Sequence, residues 1–218
     1  MDRFFRELAP YYPVLWRGLL TTCKLCGIAY LIGIPLGAVV GYLRHRFERS
    51  VGTMLQVLSF GMTAVPFIVL LFWLHYPLQR MLGVVIPPEV TGTFALTLLC
   101  MAFVSDALAA ELKRFPAELV EMGRTLGLKD SEVFWKLQIP LLVRLTMPQV
   151  LFVMMAVLHA SLFCSMISVE ELFRAAQAIN ADLYRPVEIY TGMALFLFLI
   201  SAAFQGGAYW MRQRWKLN

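Results

Sequence analysis

Residues 51–76 read VGTMLQVLSFGMTAVPFIVLLFWLHY and contain no Asp, Glu, Lys or Arg. A membrane-spanning α-helix needs about 20 consecutive, mostly apolar residues to cross about 30 Å of hydrocarbon, so this stretch is long enough. A transmembrane β-strand would be about 10 residues long with alternating polarity, a pattern that this stretch does not have. The sequence therefore predicts a membrane-spanning helix over residues 51–76.

Four more stretches share this character, at residues 14–43, 90–112, 143–168 and 187–211, and each holds at most two charged side chains. Hydrophobic residues make up 60% of the 218-residue chain and charged residues 15%, whereas soluble domains have about 45–50% and about 25%. This composition excludes a soluble enzyme and a disordered chain. We predict an all-α integral membrane protein with five transmembrane helices in one domain, residues 1–218. Residues 1–13 mix aromatic with charged side chains and predict a segment that lies at the membrane interface.

Basic residues concentrate on one side of the predicted spans. The segments 44–50, 111–144 and 212–218 carry 12 Lys and Arg against 6 Asp and Glu, a net charge of +6. The segments on the other side carry 6 basic and 7 acidic residues, a net charge of −1. Because membrane proteins keep Lys and Arg on the cytoplasmic side, we expect the N-terminus outside and the C-terminus inside. The overall charge of +5 therefore reports topology, and we expect no nucleic-acid partner.

The largest expected cytoplasmic segment, residues 113–142, is polar and rich in helix-forming residues. Pro116 can begin a short helix, and Gly127 can end it. Asp130 or Ser131 can cap a second helix, which we expect Pro140 to end. The sequence therefore predicts two short helices, set at an angle, between the third and fourth spans.

This segment contains a recognisable pattern, Glu118-Leu-Val-Glu121-Met-Gly-Arg-Thr-Leu-Gly127, then nine residues, then Leu137-Gln-Ile-Pro140. It resembles the E-A-A-x-x-x-G-(nine residues)-I-x-L-P loop of ABC importer permeases, with Met and Gly in place of the two alanines. In that family the loop forms coupling helices that sit in a groove of the ATP-binding subunit. The resemblance implies that the following residues contact the ATPase: Glu118, Glu121, Met122, Gly123, Leu126, Gly127, Leu137, Ile139 and Pro140.

The resemblance covers residues 15–214 and is closest to the permeases for polar amino acids, which import histidine, glutamine, glutamate, arginine and opines. It rests also on Arg17-Gly-Leu-Leu-Thr-Thr-Cys-Lys-Leu at the first span, Ile167-Ser-Val-Glu-Glu-Leu-Phe-Arg-Ala-Ala-Gln after the fourth and Arg185-Pro-Val-Glu-Ile-Tyr at the fifth. It implies a multi-pass permease subunit in the bacterial cytoplasmic (inner) membrane. Such a subunit translocates a polar amino acid, or a derivative of one, by alternating access.

The chain contains no G-x-x-x-x-G-K-[ST] motif, which is the phosphate-binding loop of many nucleotide-hydrolysing proteins. We therefore expect a transport subunit that is not an enzyme and binds no cofactor or metal itself. ATP and Mg²⁺ are expected on separate ABC ATPase subunits. The resemblance also implies a second permease subunit, which is either a second copy or a paralogue, and a substrate-binding protein on the outer side.

Five residues are candidates for the substrate path, at positions where the chain departs from the family. The family's R-G-T-P run is Thr63-Ala-Val-Pro66 here, and the proline is expected to bend the second span near mid-membrane. In place of the family's A-E-I-F-R-G-G run, this chain keeps an acidic residue, Asp106, and lacks the Arg. Asp106 must face protein or water because a carboxylate is costly in lipid. The K-D-T-S-L run becomes His159-Ala-Ser161-Leu-Phe.

Each of these five residues also has a purely structural explanation, as a kink or as a hydrogen bond between helices. The loss of Arg, Gln, Lys and Asp from the expected path has two explanations: the substrate is less charged or bulkier, or the partner permease carries recognition. Two other functions stay open on the residues alone. An ion-driven secondary transporter would have Asp106 and His159 as its ionisable groups, and a membrane scaffold would not need a coupling loop.

Three further features carry expectations. Lys24, within the first span, is expected to extend its ammonium group outward. A Gly-x-x-x-Gly-x-x-x-Gly ridge at residues 33–41 predicts that another helix approaches closely. The residues between the fourth and fifth spans predict an external charged loop, which either docks the binding protein or is simply solvated: Glu170, Glu171, Arg174, Asp182 and Arg185.

Overall fold

The computed structural model describes residues 6–47 and 51–215, and these are almost entirely helical, without a strand among them. Four helices are long and apolar enough to cross a membrane, and one bent pair makes a fifth span if it is counted as one. The predicted all-α class is therefore confirmed, with four to five spans. Of the predicted interfacial segment 1–13, residues 1–5 lie outside the described residues, and residues 6–11 form helical turns that lead into the first long helix.

The helices follow in the order α1 (Tyr12–Arg46), α2 (Val51–Ala64), α3 (Phe67–His75), α4 (Pro77–Leu82), α5 (Pro88–Arg114), α6 (Ala117–Thr125), α7 (Asp130–Ile167), α8 (Leu172–Leu183) and α9 (Pro186–Arg214). Helices α1, α5 and α7 form the packed centre, and the other elements lie against it. The core between these three helices includes Leu25, Leu96, Val104 and Val157, each at most 2% exposed.

The glycine ridge of α1 lies against α5. A Cβ atom on Gly33 would be 2.7 Å from the Cβ atom of Cys100, and one on Gly37 would be 2.7 Å from the backbone oxygen of Met101. Glycine lets the two backbones approach this closely because it adds no side chain between them. The predicted close approach is therefore confirmed, and the partner is a helix of the same chain.

The second predicted span is broken near its middle. Helix α2 and the segment that begins with α3 are bent by 98°. Pro66 has no amide hydrogen to continue the helical ladder, and it disfavours a helical conformation at the preceding residue. Its carbonyl instead accepts the amides of Val69 and Leu70, which begins α3. The predicted bend at Pro66 is confirmed, and it divides residues 51–76 between two helices, α2 and α3.

Pro140 does not end a helix. The helix that begins at Asp130 continues through Pro140 to Ile167. Residues Val133–Gln138 form a π-helical turn, and its wider hydrogen-bond spacing removes the clash between a proline ring and the carbonyl four residues earlier. The expected short helix ending at Pro140 is therefore wrong. The segment after Gly127 and the fourth span form one continuous helix.

Lys24, whose side chain is 62% exposed, extends to the end of the bundle at which α5 begins, in agreement with the expected outward extension, and pairs there with a carboxylate. Its Nζ atom lies 2.8 Å from Oε2 of Glu89, in the first turn of α5. Helix α1 has 35 residues, so it is about 52 Å long and exceeds the hydrocarbon thickness by several turns. The part of α1 before Lys24 thus extends past the start of α5. We call this end of the bundle the Glu89 end and the opposite one the Arg44 end.

The charged segment between the fourth and fifth spans is not a solvated loop. It folds into α8, and Glu171 at the start of this helix is fully buried. The two carboxylate oxygens of Glu171 accept the amides of Phe173 and Arg174, each at 2.8 Å. Helix α8 lies against α1, where Oγ1 of Thr22 accepts the amide of Leu172 at 3.1 Å. The solvated-loop expectation is wrong for Glu171 because its carboxylate caps a helix.

Glu171 should make the stability of the chain depend on pH. Burial raises the pKa of Glu171 from 4.5 to about 7, against the opposing effect of its two amide hydrogen bonds. Between these pH values the folded chain therefore binds more protons than the unfolded chain, and stability falls as the pH rises. The difference between these two pKa values corresponds to about 3 kcal/mol, so we expect the melting temperature of the purified protein to fall by roughly 10 °C from this cause.

The measurement is a series of thermal melts between pH 4.5 and 7.5, for the wild type and for Glu171→Gln. The variant should lose the Glu171 part of the slope, because an amide does not titrate. Glu118→Gln is the matched control, since Glu118 is exposed and lies on α6 rather than beside Glu171. Equal slopes for the wild type and Glu171→Gln would show that the expected titration is absent.

Candidate functional site

The segment that resembles a coupling loop folds into a compact unit beyond α5. Helix α6 has 9 residues and begins directly after Pro116. Gly127 ends it with a φ angle of +81°, a conformation that favours glycine. The amide of Leu128 then donates to the carbonyl of Gly123 at 3.2 Å, which closes the turn. Gly127 therefore breaks the helix as predicted and lets the chain reverse into α7.

Helix α6 rests on the π-helical turn of α7 through a glycine. A Cβ atom on the buried Gly123 would lie 3.0 Å from Cδ1 of Leu137 and 3.0 Å from Cγ2 of Val133. An ion pair between Nε of Arg124 and Oδ1 of Asp130, at 2.9 Å, links α6 to the start of α7. We call α6 together with the π-helical turn Val133–Gln138 the α6–π unit. Because α7 is continuous, this unit is joined to the fourth span without an intervening loop.

One face of α6 is exposed and has mixed character. Met122 is 55% exposed and Leu126 is 75% exposed. The carboxylates of Glu118 and Glu121 are exposed beside them. Apolar anchors flanked by charged groups are typical of protein–protein interfaces. The structure therefore presents four of the nine predicted contact residues on one accessible surface, together with the glycine turn.

The other predicted contact residues have different surroundings. Gly123 is buried on the side of α6 that faces α7. On α7, Leu137 and Pro140 are exposed and Ile139 is half-buried. Leu137 contacts the position of Gly123 from the opposite side. Leu137 therefore supports α6 from α7, whereas Ile139 and Pro140 lie further along α7.

Trp135 is a prominent residue of the α6–π unit that the sequence pattern did not single out. It is 67% exposed, and its ring lies 5.4 Å from that of Phe134 in an edge-to-face arrangement. The ring of Phe134 in turn lies 5.5 Å from that of Tyr42, near the end of α1. Three aromatic rings thus connect an exposed surface to the first span. An exposed Trp in so polar a segment was the available signal, because such residues are common at binding hot spots.

Thr63 and Pro66 lie at the break between α2 and α3. The hydroxyl of Thr63 donates within its own helix, to the carbonyl of Ser59 at 3.1 Å, and Pro66 is exposed. The last carbonyls of α2 lack helical amide partners because the ladder stops at the break. Polar backbone groups at a broken helix are a feature that transporters use around substrates.

Asp106 belongs to a polar cluster that joins three helices. Its Oδ1 atom pairs with Nη1 of Arg44 and accepts the hydroxyl of Ser59 at 3.1 Å. The same Nη1 atom donates to Oγ of Ser105 at 3.0 Å. The side chain of Arg44 is 11% exposed and that of Asp106 is 43% exposed. The cluster ties α1, α2 and α5 together, which favours the structural explanation of Asp106.

His159 and Ser161 also have partners within the chain. Nε2 of His159 lies 2.9 Å from Oγ of Ser201 on α9. Ser161 is fully buried, and its hydroxyl donates to the carbonyl of Leu158 at 2.8 Å. In residues 6–47 and 51–215, no hydrogen bond or ion pair joins any two of the five predicted path residues. Each of the four polar residues among them instead has a partner outside this set.

The amino-acid sequence is similar to those of known transport proteins. At 25% identity over 191 residues, the chain is similar to the L-cystine transport system permease protein TcyB of Bacillus subtilis, with 87% of this chain and 81% of that protein covered. At 27% identity over 196 residues, it is similar to the arginine ABC transporter permease protein ArtQ of Escherichia coli, with 89% and 76% covered.

The fold is also known from solved structures. A crystal structure of an amino acid ABC transporter with histidines contains a chain with a TM-score of 0.85 and 22% identity, and the match covers 96% of this chain and 98% of that one. The family model for the binding-protein-dependent transport system inner membrane component matches residues 33–217. That range holds the bent second span, the polar cluster of Asp106 and the whole α6–π unit. The chain therefore belongs to the family of inner membrane components of binding-protein-dependent transport systems.

Proposed function

We propose that this chain is a membrane-spanning permease subunit of an ABC importer, and that it translocates a polar amino acid or an amino-acid derivative by alternating access. The observation that carries the proposal is the α6–π unit, which exposes Met122, Leu126 and two carboxylates on a continuous helical extension of the fourth span. Family membership and relatives named as amino-acid permeases support it. They favour it over an ion-driven transporter or a scaffold.

The topology follows from the charges. With the N-terminus outside and the C-terminus inside, the Arg44 end and the α6–π unit face the cytoplasm of a bacterial cell, where ATP and Mg²⁺ on separate ATPase subunits are available. The Glu89 end then faces the substrate-binding protein. Exposed charged residues at that end, among them Glu170, remain candidates for its docking surface.

Movement of the ATPase subunits would reach the spans by two routes. The first is α7 itself, because the helix is continuous from Asp130 into the fourth span. The second is the aromatic series from Trp135 through Phe134 to Tyr42 on α1. Both routes begin at the α6–π unit, so a displacement there would tilt the first and fourth spans together.

A second permease subunit completes the path in this proposal. In the most apolar part of α9, only 11% of the residues are buried inside the chain, compared with 28–44% in the other three long helices. The side chains of Asp106 and His159 are engaged with Arg44 and Ser201. Such engagement supports the explanation in which the partner permease carries more of the substrate recognition, and the choice between a second copy and a paralogue stays open.

The test of the proposed function is co-purification of an ATPase with the chain when both are expressed with their genomic neighbours. Glu121→Lys reverses an exposed charge, and Gly127→Asp places a side chain where φ is +81°. We expect each variant to reduce the ATPase recovered by about tenfold, since rim charges and turn geometry both matter at an interface. Glu170→Lys makes the same charge reversal at the opposite end and should have no effect. Full retention of the ATPase by both variants would refute the proposal.

Trp135→Ala tests whether Trp135, which the sequence pattern did not single out, contributes to the interface with the ATPase. Truncating an exposed Trp at an interface centre costs about 1–2 kcal/mol or more, so we expect about tenfold weaker binding of the ATPase. The measurement is the ATPase concentration that half-saturates the purified permease in detergent. Trp16→Ala is the control, because Trp16 is 61% exposed but lies near the start of α1. Equal binding by both variants would exclude Trp135 from the interface.

A further inference from the structure

The end of α4 and the loop that joins it to α5 present apolar side chains outward. Met81 is 78% exposed, Leu82 is 63% exposed, Val84 is 43% exposed and Val85 is 97% exposed. Clustered exposed apolar residues mark a contact with something apolar, because water would disfavour them. We call residues 81–85, which include the last two residues of α4, the apolar loop.

The apolar loop is held in a defined shape by Gln79, which is 7% exposed. Nε2 of Gln79 donates to Oγ1 of Thr91 on α5 at 3.0 Å, and Oε1 accepts the amide of Ile86 at 2.8 Å. Gly83 has a φ angle of +66°, and the amide of Val84 donates to the carbonyl of Gln79 at 3.1 Å. This glycine-centred helix end and the buried amide fix the loop from both sides. Its outward apolar side chains are therefore a built feature of the fold.

The surface of α3 continues directly into the apolar loop. Val69 is 53% exposed, Trp73 is 48% exposed and Tyr76 is 53% exposed, and all three precede the loop in the same arm of the bent second span. Trp and Tyr are enriched where membrane helices meet the lipid headgroups. The aromatic residues thus indicate that this arm runs through the interfacial region, and the loop follows them directly in the chain.

The charge of the arm is suited to lipid. Arg80 is exposed, and it is the one residue among Asp, Glu, Lys and Arg in the sequence between residues 51 and 88. A cationic side chain beside apolar ones matches the interfacial pattern, in which the apolar groups enter the acyl region and the cation reaches a phosphate.

We infer that the apolar loop is an interfacial anchor, which inserts Met81, Leu82 and Val85 into the lipid leaflet at the Glu89 end while Arg80 contacts the lipid phosphates. The inference rests on the membrane location of the chain and not on the proposed transport function. The anchor would hold the α3–α4 arm of the broken span at a fixed depth. The broken span could then change its bend at Pro66 while its far end stays in the interface.

The test measures the depth of residue 85. Val85→Cys is made with Cys23→Ser, because Cys23 is exposed while the other three cysteines are buried, and the thiol is labelled with the fluorophore nitrobenzoxadiazole. The full complex is reconstituted in vesicles of phosphatidylethanolamine and phosphatidylglycerol. We expect at least a twofold loss of fluorescence with quencher-bearing lipids and little loss with aqueous iodide. Glu170→Cys, labelled in the same way at the same end, should show the reverse.

Every other outcome overturns the anchor. Quenching of the Val85 label by iodide, as for the Glu170 label, would place the loop in water. Quenching by neither agent would mean that a protein covers it, and a change on addition of the substrate-binding protein would identify that protein as the occupant. Arg80→Gln should reduce lipid quenching about twofold in vesicles that contain phosphatidylglycerol. An unchanged value would overturn the phosphate contact.

Discussion

Gly123→Leu is expected to abolish transport while the membrane-spanning part of the chain stays folded. A Cβ atom at this position already lies 3.0 Å from side-chain atoms of both Val133 and Leu137. A leucine adds three more carbon atoms in the same space, and overpacking of this kind costs about 1–3 kcal/mol. Helix α6 has 9 residues, too few to be stable without tertiary packing. The substitution therefore weakens the packing of α6 against α7. As a result, the exposed face of α6 is no longer held in place.

A graded series separates this effect from a general intolerance of change. Gly123→Ala needs neighbouring methyl groups to shift by only a few tenths of an ångström, so we expect it to keep most of the transport rate. The measurements are substrate uptake by cells or proteoliposomes and recovery of the ATPase with the permease. Gly27→Leu is the matched control for ATPase recovery, because a Cβ atom at Gly27 meets nothing within 4 Å. Normal uptake by Gly123→Leu would mean that the seating of α6 is not required for coupling.

The membrane-spanning part of the fold was predictable because the physical signal is long and local. Each span is a run of about 20 apolar residues, and the cost of polar groups in hydrocarbon leaves few alternatives for such a run. The bend at Pro66 was predictable for the same reason, since proline acts on its own helix. The size of the bend, 98°, was not predictable, because it depends on how α3 packs against α5.

Side-chain partners were the features that the sequence could not predict. Lys24 and Glu89 are 65 positions apart, and nothing local to either residue identifies the other. Glu171 looked like one more solvated acid, but its two oxygens cap a buried helix end. The passage of α7 through Pro140 also escaped prediction, because a π-helical turn has no reliable local pattern. The resemblance to a coupling loop identified the residues of the α6–π unit, whereas their division between an exposed face and a support came from the packing.

Asp106→Leu is expected to destabilise the chain more than Arg44→Met, although the two residues form one ion pair. Removing the carboxylate leaves the guanidinium of Arg44, whose side chain is only 11% exposed, without its charged partner. Breaking a buried pair in this way costs about 3–5 kcal/mol. Removing the guanidinium leaves the carboxylate of Asp106, which is 43% exposed and keeps the hydroxyl of Ser59. Its cost should be about 1 kcal/mol, as for a solvent-accessible pair.

Thermal melting of the purified complex tests this asymmetry. We expect a fall of about 10 °C for Asp106→Leu and about 3 °C for Arg44→Met. The double variant should melt above Asp106→Leu, because replacing both charges leaves neither one unpaired in an apolar site. Asp106→Asn keeps an oxygen for Ser59 and should fall between the wild type and Asp106→Leu. A wild-type melting temperature for Asp106→Leu with transport lost would instead assign Asp106 to the substrate path. Parallel loss of stability and transport, recovered together in the double variant, would establish the cluster as the structure that fixes α2 against the scaffold of α1 and α5.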